Sequence, residues 1–124
     1  MRIVLVCPYA WDSPGGVQAH VRGLAREMTR RGHAVRVLAP GLAPSSDPAV
    51  TIVGRPVRVR YNGSVAPICF QPLALARVAR LVRNLRPDVV HVHEPFSPGL
   101  SLAATLAARA PVVATFHAGA DRLW

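Results

Sequence analysis

The chain has no lysine, only two cysteines, and six acidic residues against fifteen basic ones, all of them arginine. Its net charge of +9 predicts attraction to anionic partners, whether nucleotide, acidic lipid or nucleic acid. The lack of lysine beside abundant Ala, Arg, Pro and Val reflects GC-rich coding more than function. No apolar run approaches the roughly 18 residues of a membrane span, and MRIVLVC has neither the length nor the cleavage site of a signal peptide. A cytoplasmic protein is the expectation. Cys7 ends a strand-like run and Cys69 lies in an apolar stretch, neither at a metal-binding or redox spacing. Both are expected as buried, reduced thiols. GxGxxG and GxxxxGKS/T patterns are missing, which counts against ordinary dinucleotide and P-loop sites. So are an Asp-x-Asp motif, internal repeats and any low-complexity tail.

What is present suffices for one globular domain: 124 residues, 51% of them hydrophobic. RIVLVC (2–7) is a near-continuous apolar run, the pattern of a strand buried on both faces. Residues 17–31 place Val17, Val21, Leu24, Ala25 and Met28 at helical spacing, with Gly32 as C-cap and His33 opening a second strand, HAVRVLAP. Residues 41–50 are loop by composition. VTIVG and PVRVRY are short strands, with NGS as a turn after the second. Residues 72–86 form another helix, with Pro72 in its first turn and Pro87 as its stop. DVVHVH is a third core strand, SPGLSLAATLAARA a short helix with Ser97 or Ser101 near its start, and PVVATF one more buried strand. Strands alternating with helices imply right-handed βαβ units. The expected fold is α/β, a Rossmann-like open parallel sheet with helices on both faces. Only HAGADRLW follows the last strand, which would leave an uncovered edge. The chain is therefore expected to be the N-terminal part of something longer.

Ligands of open parallel sheets bind outside the carboxyl ends of the strands. Four polar groups fall at such ends: Tyr9 to Gln18, Tyr61 to Ser64, His91/His93/Glu94, and His117. The topology would gather them at one crevice. Gly15-Gly16 opens a helix whose free first-turn N–H groups and dipole make an anion site, glycine allowing a diphosphate close to the backbone. A plain strand-to-helix turn accounts for the glycine pair alone equally well. Alternation sends His91 and His93 to one face of their strand and Val92 to the other. Two histidines with no evident third ligand do not make a metal site, so none is expected. His91 fits a packed, hydrogen-bonded residue, and His93 and Glu94 fit the lining of the cleft. His117 follows an apolar strand, where a core histidine is out of place, and is assigned to function.

Arg77, Arg80, Arg83 and Arg86 recur every third residue, opposite Leu75, Val78, Leu81, Val82 and Leu85. They form either a solvated face or a surface for anionic lipid headgroups, at about 1 kcal/mol per charge. Nucleic acid trails both, because no aromatics are interleaved and no reading module is present.

Taken together, PGGVQAHVRGLAREMTRRGHAVRVLAP, HVHEP and ATFH resemble the N-terminal domain of family-4 retaining glycosyltransferases of the GT-B fold, over almost the whole chain. Within that family, CPYAWDSPGGVQAHV and VRYNGSVAPICF are most similar to actinobacterial members that move mannose from GDP-mannose to the inositol of a membrane phospholipid. The resemblance implies an acceptor-side domain over residues 1–124, with the donor-binding C-terminal domain absent, so that this chain alone should not turn over. Gly16, with Gly15 beside it, would meet the donor diphosphate through its backbone N–H. Gln18, Tyr61 and Asn62 would hold the inositol headgroup, with Tyr9 and Ser64 nearby. His117 would sit beside the transferring mannose and serve catalysis. Arg77, Arg80 and Arg83 would face an anionic membrane, placing the protein peripherally on the inner face of the plasma membrane.

No cofactor is expected in this domain, with Mg²⁺ entering only alongside the donor diphosphate. The missing Asp-x-Asp motif agrees with the GT-B type. Retention without a carboxylate nucleophile in this half implies a front-face route, in which the leaving phosphate helps to deprotonate the acceptor hydroxyl. One contact departs from the family: a basic residue expected three positions after the serine of NGS is Pro67 here, and Arg58 or Arg60 would have to replace it. The alternatives are a related family-4 enzyme with a soluble acceptor and a non-catalytic anion-binding module.

Overall fold

The computed structural model describes residues 1–61 and 64–117, by backbone alone at 61 and 64. The first apolar run forms β1 (Arg2–Val6), with Ile3 to Val6 all buried. There follow α1 (Gly16–Arg30), β2 (Ala34–Ala39), β3 (Val50–Ile52), β4 (Val57–Tyr61), β5 (Ser64–Ile68), α2 (Pro72–Asn84), β6 (Val89–His93), α3 (Leu100–Ala107) and β7 (Val112–Thr115). Five strands make an open, wholly parallel sheet in the order β3-β2-β1-β6-β7. The order reverses between β1 and β6, the switch point where such sheets leave a crevice. The Rossmann-like architecture expected from the alternating pattern is the one found.

Side-chain alternation divides the core in two. Val4 and Val6 of β1, Leu38 of β2, and Val90 and Val92 of β6 pack under α2 and α3 with Val78, Val82, Leu100 and Ala104. Ile3 and Leu5 of β1, Val37 and Ala39 of β2, and Val89 of β6 lie on the other face, under α1 with Val21, Leu24 and Met28. Truncating a fully buried leucine such as Leu5 to alanine would cost about 2–5 kcal/mol. The C-terminus of α1 closes at Gly32 (φ 94°). His33 N–H reaches back to the Met28 carbonyl (3.1 Å) and Gly32 N–H to that of Thr29 (3.0 Å), a Schellman pair that only a left-handed residue completes.

Three expectations need correction. Tyr61 to Ser64 do not end a strand of the parallel sheet. β4 pairs antiparallel with β5, a strand not foreseen, in a separate two-stranded sheet. Strands joined by so short a link can pair only antiparallel. The turn expected at Asn62-Gly63 lies outside the described residues. β7 is not the buried strand its composition suggested: among the described residues it is the sheet edge, as the short tail after it implied, with Val112 and Val113 exposed. α2 ends at Asn84, and Arg86 leaves the helix at φ 48°, because a residue preceding proline is disfavoured in helical geometry. Ser97 and Ser101 lie near the start of α3 as expected, with Gly99 as its N-cap. Cys7 and Cys69 are buried free thiols as expected, and burial pushes the Cys7 thiol up to about 12, which leaves it unreactive.

Candidate functional site

The crevice begins where β1 ends. The following loop is held from several sides: Ala10 N–H donates to the Pro67 carbonyl (3.0 Å), Trp11 N–H to that of Pro40 (2.8 Å), and Gln18 Nε2 to that of Ala10 (3.1 Å). Arg22 donates to the Trp11 carbonyl and lies over its ring at 4.3 Å. α1 then starts with no side-chain hydrogen bond from its N-cap, Gly15, and no acidic residue in its first turn. Its first helical bond is Ala19 N–H to the Gly15 carbonyl. The preceding amides of Gly16, Val17 and Gln18 are unclaimed among the described residues, and with the positive end of the helix dipole they favour an anion.

The two glycines are not equivalent. A Cβ on Gly15 would collide with the Gln18 amide (2.9 Å to Cδ), whereas one on Gly16 would meet nothing within 4 Å. Gly15 is required by the fold, since Gln18 turns back over it. Gly16 has no such internal reason. Gln18 itself is 3% exposed, so the acceptor-binding role expected of it starts from a side chain folded beneath the loop.

Across the crevice lies a group of imidazoles. β6 carries His91 and His93 on the same face as Val89, which is the face under α1. β7 runs in register beside it, His93 opposite Thr115. His91 Nε2 bonds the Thr115 hydroxyl (2.7 Å), and His93 Nδ1 bonds His117 Nε2 (2.9 Å). The ring of His93 is stacked between those of His91 (4.4 Å) and His117 (5.2 Å). His20, at the second turn of α1, completes the group edge-on, 5.6 Å from His93 and 5.2 Å from His117. His93 is fully buried and its Nε2 has no hydrogen-bond partner among the described residues.

Glu94 fixes the far side. It adopts φ 51°, a left-handed conformation costing a non-glycine residue about 1–3 kcal/mol. Among the described residues it is held there by its N–H to the Thr115 carbonyl (2.8 Å), its carbonyl from Ser97 N–H (2.9 Å), and its carboxylate from the His117 N–H. The strained turn therefore positions His117. Ser101 adds a bond to the His93 carbonyl (2.7 Å). Burial, then the neighbouring imidazoles His91, His117 and His20, holds His93 down to about 3. Burial also lowers His91 and His117, although Glu94 opposes the shift at His117. These three rings are neutral at neutral pH. Such a site can exchange hydrogen bonds with sugar hydroxyls while the helix start takes up negative charge.

Of the expected site residues, the fold brings together Gly15, Gly16, Gln18, His93, Glu94 and His117. His93 and Glu94 are its buried floor rather than its lining. His91 is packed and hydrogen-bonded as foreseen. Tyr9 is half-buried and bridges the backbone of Ile68, at the base of the β4–β5 hairpin. Tyr61 and Ser64 pair at the opposite end, about 13 Å away by strand rise, and Asn62 lies outside the described residues. On α2, Arg77 donates to the Ile52 carbonyl (3.3 Å) and Arg83 to that of Ala107 (2.9 Å). Arg80 has no partner among the described residues. Leu73, on the same helix, is 85% exposed. A groove of about 810 Å³ lined by Trp11, Arg22, Arg26 and Ser45 flanks α1 but contains none of the grouped imidazoles.

His20 was not anticipated. Its signal lay in parity: if α1 covers the face to which His91 and His93 point, a polar residue near the start of α1 must lie over them.

Comparison with known proteins identifies the family. The profile of Glycosyltransferase Family 4 matches residues 14–124. The phosphatidyl-myo-inositol mannosyltransferase of Mycobacterium leprae (strain TN) is 48% identical over 118 residues, 94% of this chain and 32% of that protein. The protein of the same name from Mycobacterium tuberculosis (strain CDC 1551 / Oshkosh) is 47% identical, over 94% of this chain and 31% of its own length. That from Propionibacterium freudenreichii subsp. shermanii is 42% identical over 131 residues, 99% of this chain and 34% of its own. The chain thus spans about a third of the length of the curated relatives it matches. On the match to its profile over residues 14–124, the chain belongs to glycosyltransferase family 4.

Proposed function

We propose that the protein is the acceptor-side part of a retaining mannosyltransferase, moving mannose from GDP-mannose to the inositol of phosphatidylinositol at a membrane surface. The names of its relatives support the acceptor and the sugar. One observation carries the reading: unclaimed amides at Gly16 lie one helical turn, about 6 Å, from His20, whose ring touches His117. A sugar joined to a diphosphate spans that distance. The phosphates would rest on the start of α1, and the mannose would lie against His117. Charge on the leaving diphosphate grows in the transition state, and preorganised amides stabilise it there. His117, held through its backbone by Glu94, would hydrogen-bond the sugar as positive charge develops at the anomeric carbon. The other donor contacts would come from a second domain.

Mg²⁺ prefers oxygen ligands, and this crevice offers imidazoles and a carboxylate already engaged by the His117 N–H. These residues do not fit it. Among the described residues no helix is long and apolar enough to cross a membrane. A surface-bound enzyme would instead use α2.

The test is transfer by the full-length protein of labelled mannose from GDP-mannose to phosphatidylinositol vesicles. Labelled lipid is expected, and His117→Ala should lower turnover more than about tenfold with GDP affinity little changed. Transfer to free inositol but not to lipid would favour the soluble-acceptor reading that Pro67 invites. No transfer to either would overturn the proposal.

A further inference from the structure

His20, His93 and His117 reach the crevice from three separate elements, yet each places one ring nitrogen within 4.8 Å of the other two. Four-coordinate zinc at the usual Zn–N distance sets its nitrogens roughly 3.4 Å apart. His93 Nδ1 and His117 Nε2 are already 2.9 Å apart, so a metal would replace the proton between them with a small separation of the rings. His20 is exposed on its helix and is free to swing inward. The cluster is not a closed hydrogen-bond network either, since buried His93 retains an unpartnered Nε2. From this geometry we infer that His20, His93 and His117 form a three-imidazole site for a divalent transition metal of the Zn²⁺ class, with the fourth position open to solvent.

The donor set selects the ion. Imidazole suits Zn²⁺ and Co²⁺, whereas Mg²⁺ gains little from it. On the reading proposed above, a metal here would hold His117 away from the sugar, so it would act as an inhibitor rather than a cofactor.

The metal-free full chain would be titrated with Co²⁺, followed by the visible bands of tetrahedral cobalt, and with Zn²⁺ in a calorimeter. One equivalent of each is expected, undisturbed by excess Mg²⁺. His20→Ala removes an exposed ligand without touching the core and should weaken binding roughly tenfold or more. His33→Ala is the control, because His33 Nδ1 sits 3.1 Å from the N-terminal amine, a chelating pair of its own. Binding unchanged in His20→Ala, or lost only in His33→Ala, would overturn the inference. These titrations contain no donor, and the transfer assay can run in chelator, so the metal site and the transferase reading fail independently.

Discussion

Arg58 stands directly across the β4–β5 ladder from Pro67. Opposed residues in an antiparallel pair project to the same face with their Cβ atoms about 5 Å apart. Arg60 follows two positions on, opposite Val65 and on the same face. Both arginines are exposed. On the proposed reading, these arginines would supply from the neighbouring strand the charge that position 67 lacks. Arg58→Gln should weaken co-sedimentation with phosphatidylinositol vesicles about fivefold, the equivalent of one charge near a lipid surface. Pro67→Arg in the same chain should restore it. Equal binding by wild type and Arg58→Gln would remove this arginine from the lipid contact.

Leu73, Arg77 and Arg80 fall at i, i+4 and i+7 of α2 and so share one face. An apolar side chain flanked by cations is the make-up of a helix lying in a membrane interface. Replacing Arg77 and Arg80 together by alanine should lower partition into anionic vesicles by roughly thirtyfold, at about 1 kcal/mol per charge, with little change on neutral vesicles. Arg83→Ala should behave differently. Its bond to the last carbonyl of α3 is short and partly buried (2.9 Å), unlike the exposed 3.3 Å contact of Arg77 with Ile52, so a modest loss of thermal stability is expected, with vesicle binding nearly intact.

The parallel sheet was legible because its strands are continuous apolar runs and its helices carry period-3.6 patterns bounded by glycine and proline. β5 was not. Ser64–Ile68 contains Pro67, which argues against a strand unless it lies at an edge, and a two-stranded hairpin is such a place. β7 looked buried because composition records apolarity but not neighbours, and among the described residues β6 is the one strand beside it. The crevice was legible through the carboxyl-end rule, which located Gly16, His93 and His117. His20 escaped because an exposed residue on an amphipathic helix is ordinarily solvated. Its meaning depends on the packing of α1 across β6, which no window of sequence contains.

Stability should depend on pH through the imidazoles. The folded pKa of His93, about 3, lies below the ordinary 6.5, so between those values the unfolded chain binds a proton that the folded chain refuses. Stability then rises with pH across that interval. It is complete above about pH 6.5 and is lost as the pH falls toward 3. His91 and His117 shift in the same direction. Urea unfolding in chelator should show a loss on the order of 2 kcal/mol between pH 7 and 5, and His93→Gln should flatten the slope. Glu27, held at about 2 by Arg30 and then Arg31, adds its own loss only below its ordinary 4.5, outside this window. A slope unchanged in His93→Gln would mean that the buried ring does not control it.

The glycine pair offers the sharpest separation of fold from function, because the fold requires Gly15 whereas Gly16 is required only on the proposed reading. Gly15 is in extended backbone (φ 177°) that any residue adopts, so only the contact with Gln18 forbids a side chain. Gly15→Ala must displace a buried amide from its bond to Ala10, and a loss of about 1–3 kcal/mol is expected in thermal or urea unfolding. Gly15→Ala combined with Gln18→Ala should recover part of it. Gly16→Ala adds a methyl group to open space at the first position of a helix, where stability should hold or rise slightly. On the proposed reading, that methyl would stand where a diphosphate approaches the amides. Donor affinity in the full-length protein should therefore fall at least about tenfold in Gly16→Ala while its melting temperature stays put. Normal donor binding by Gly16→Ala would show that the start of α1 carries no phosphate.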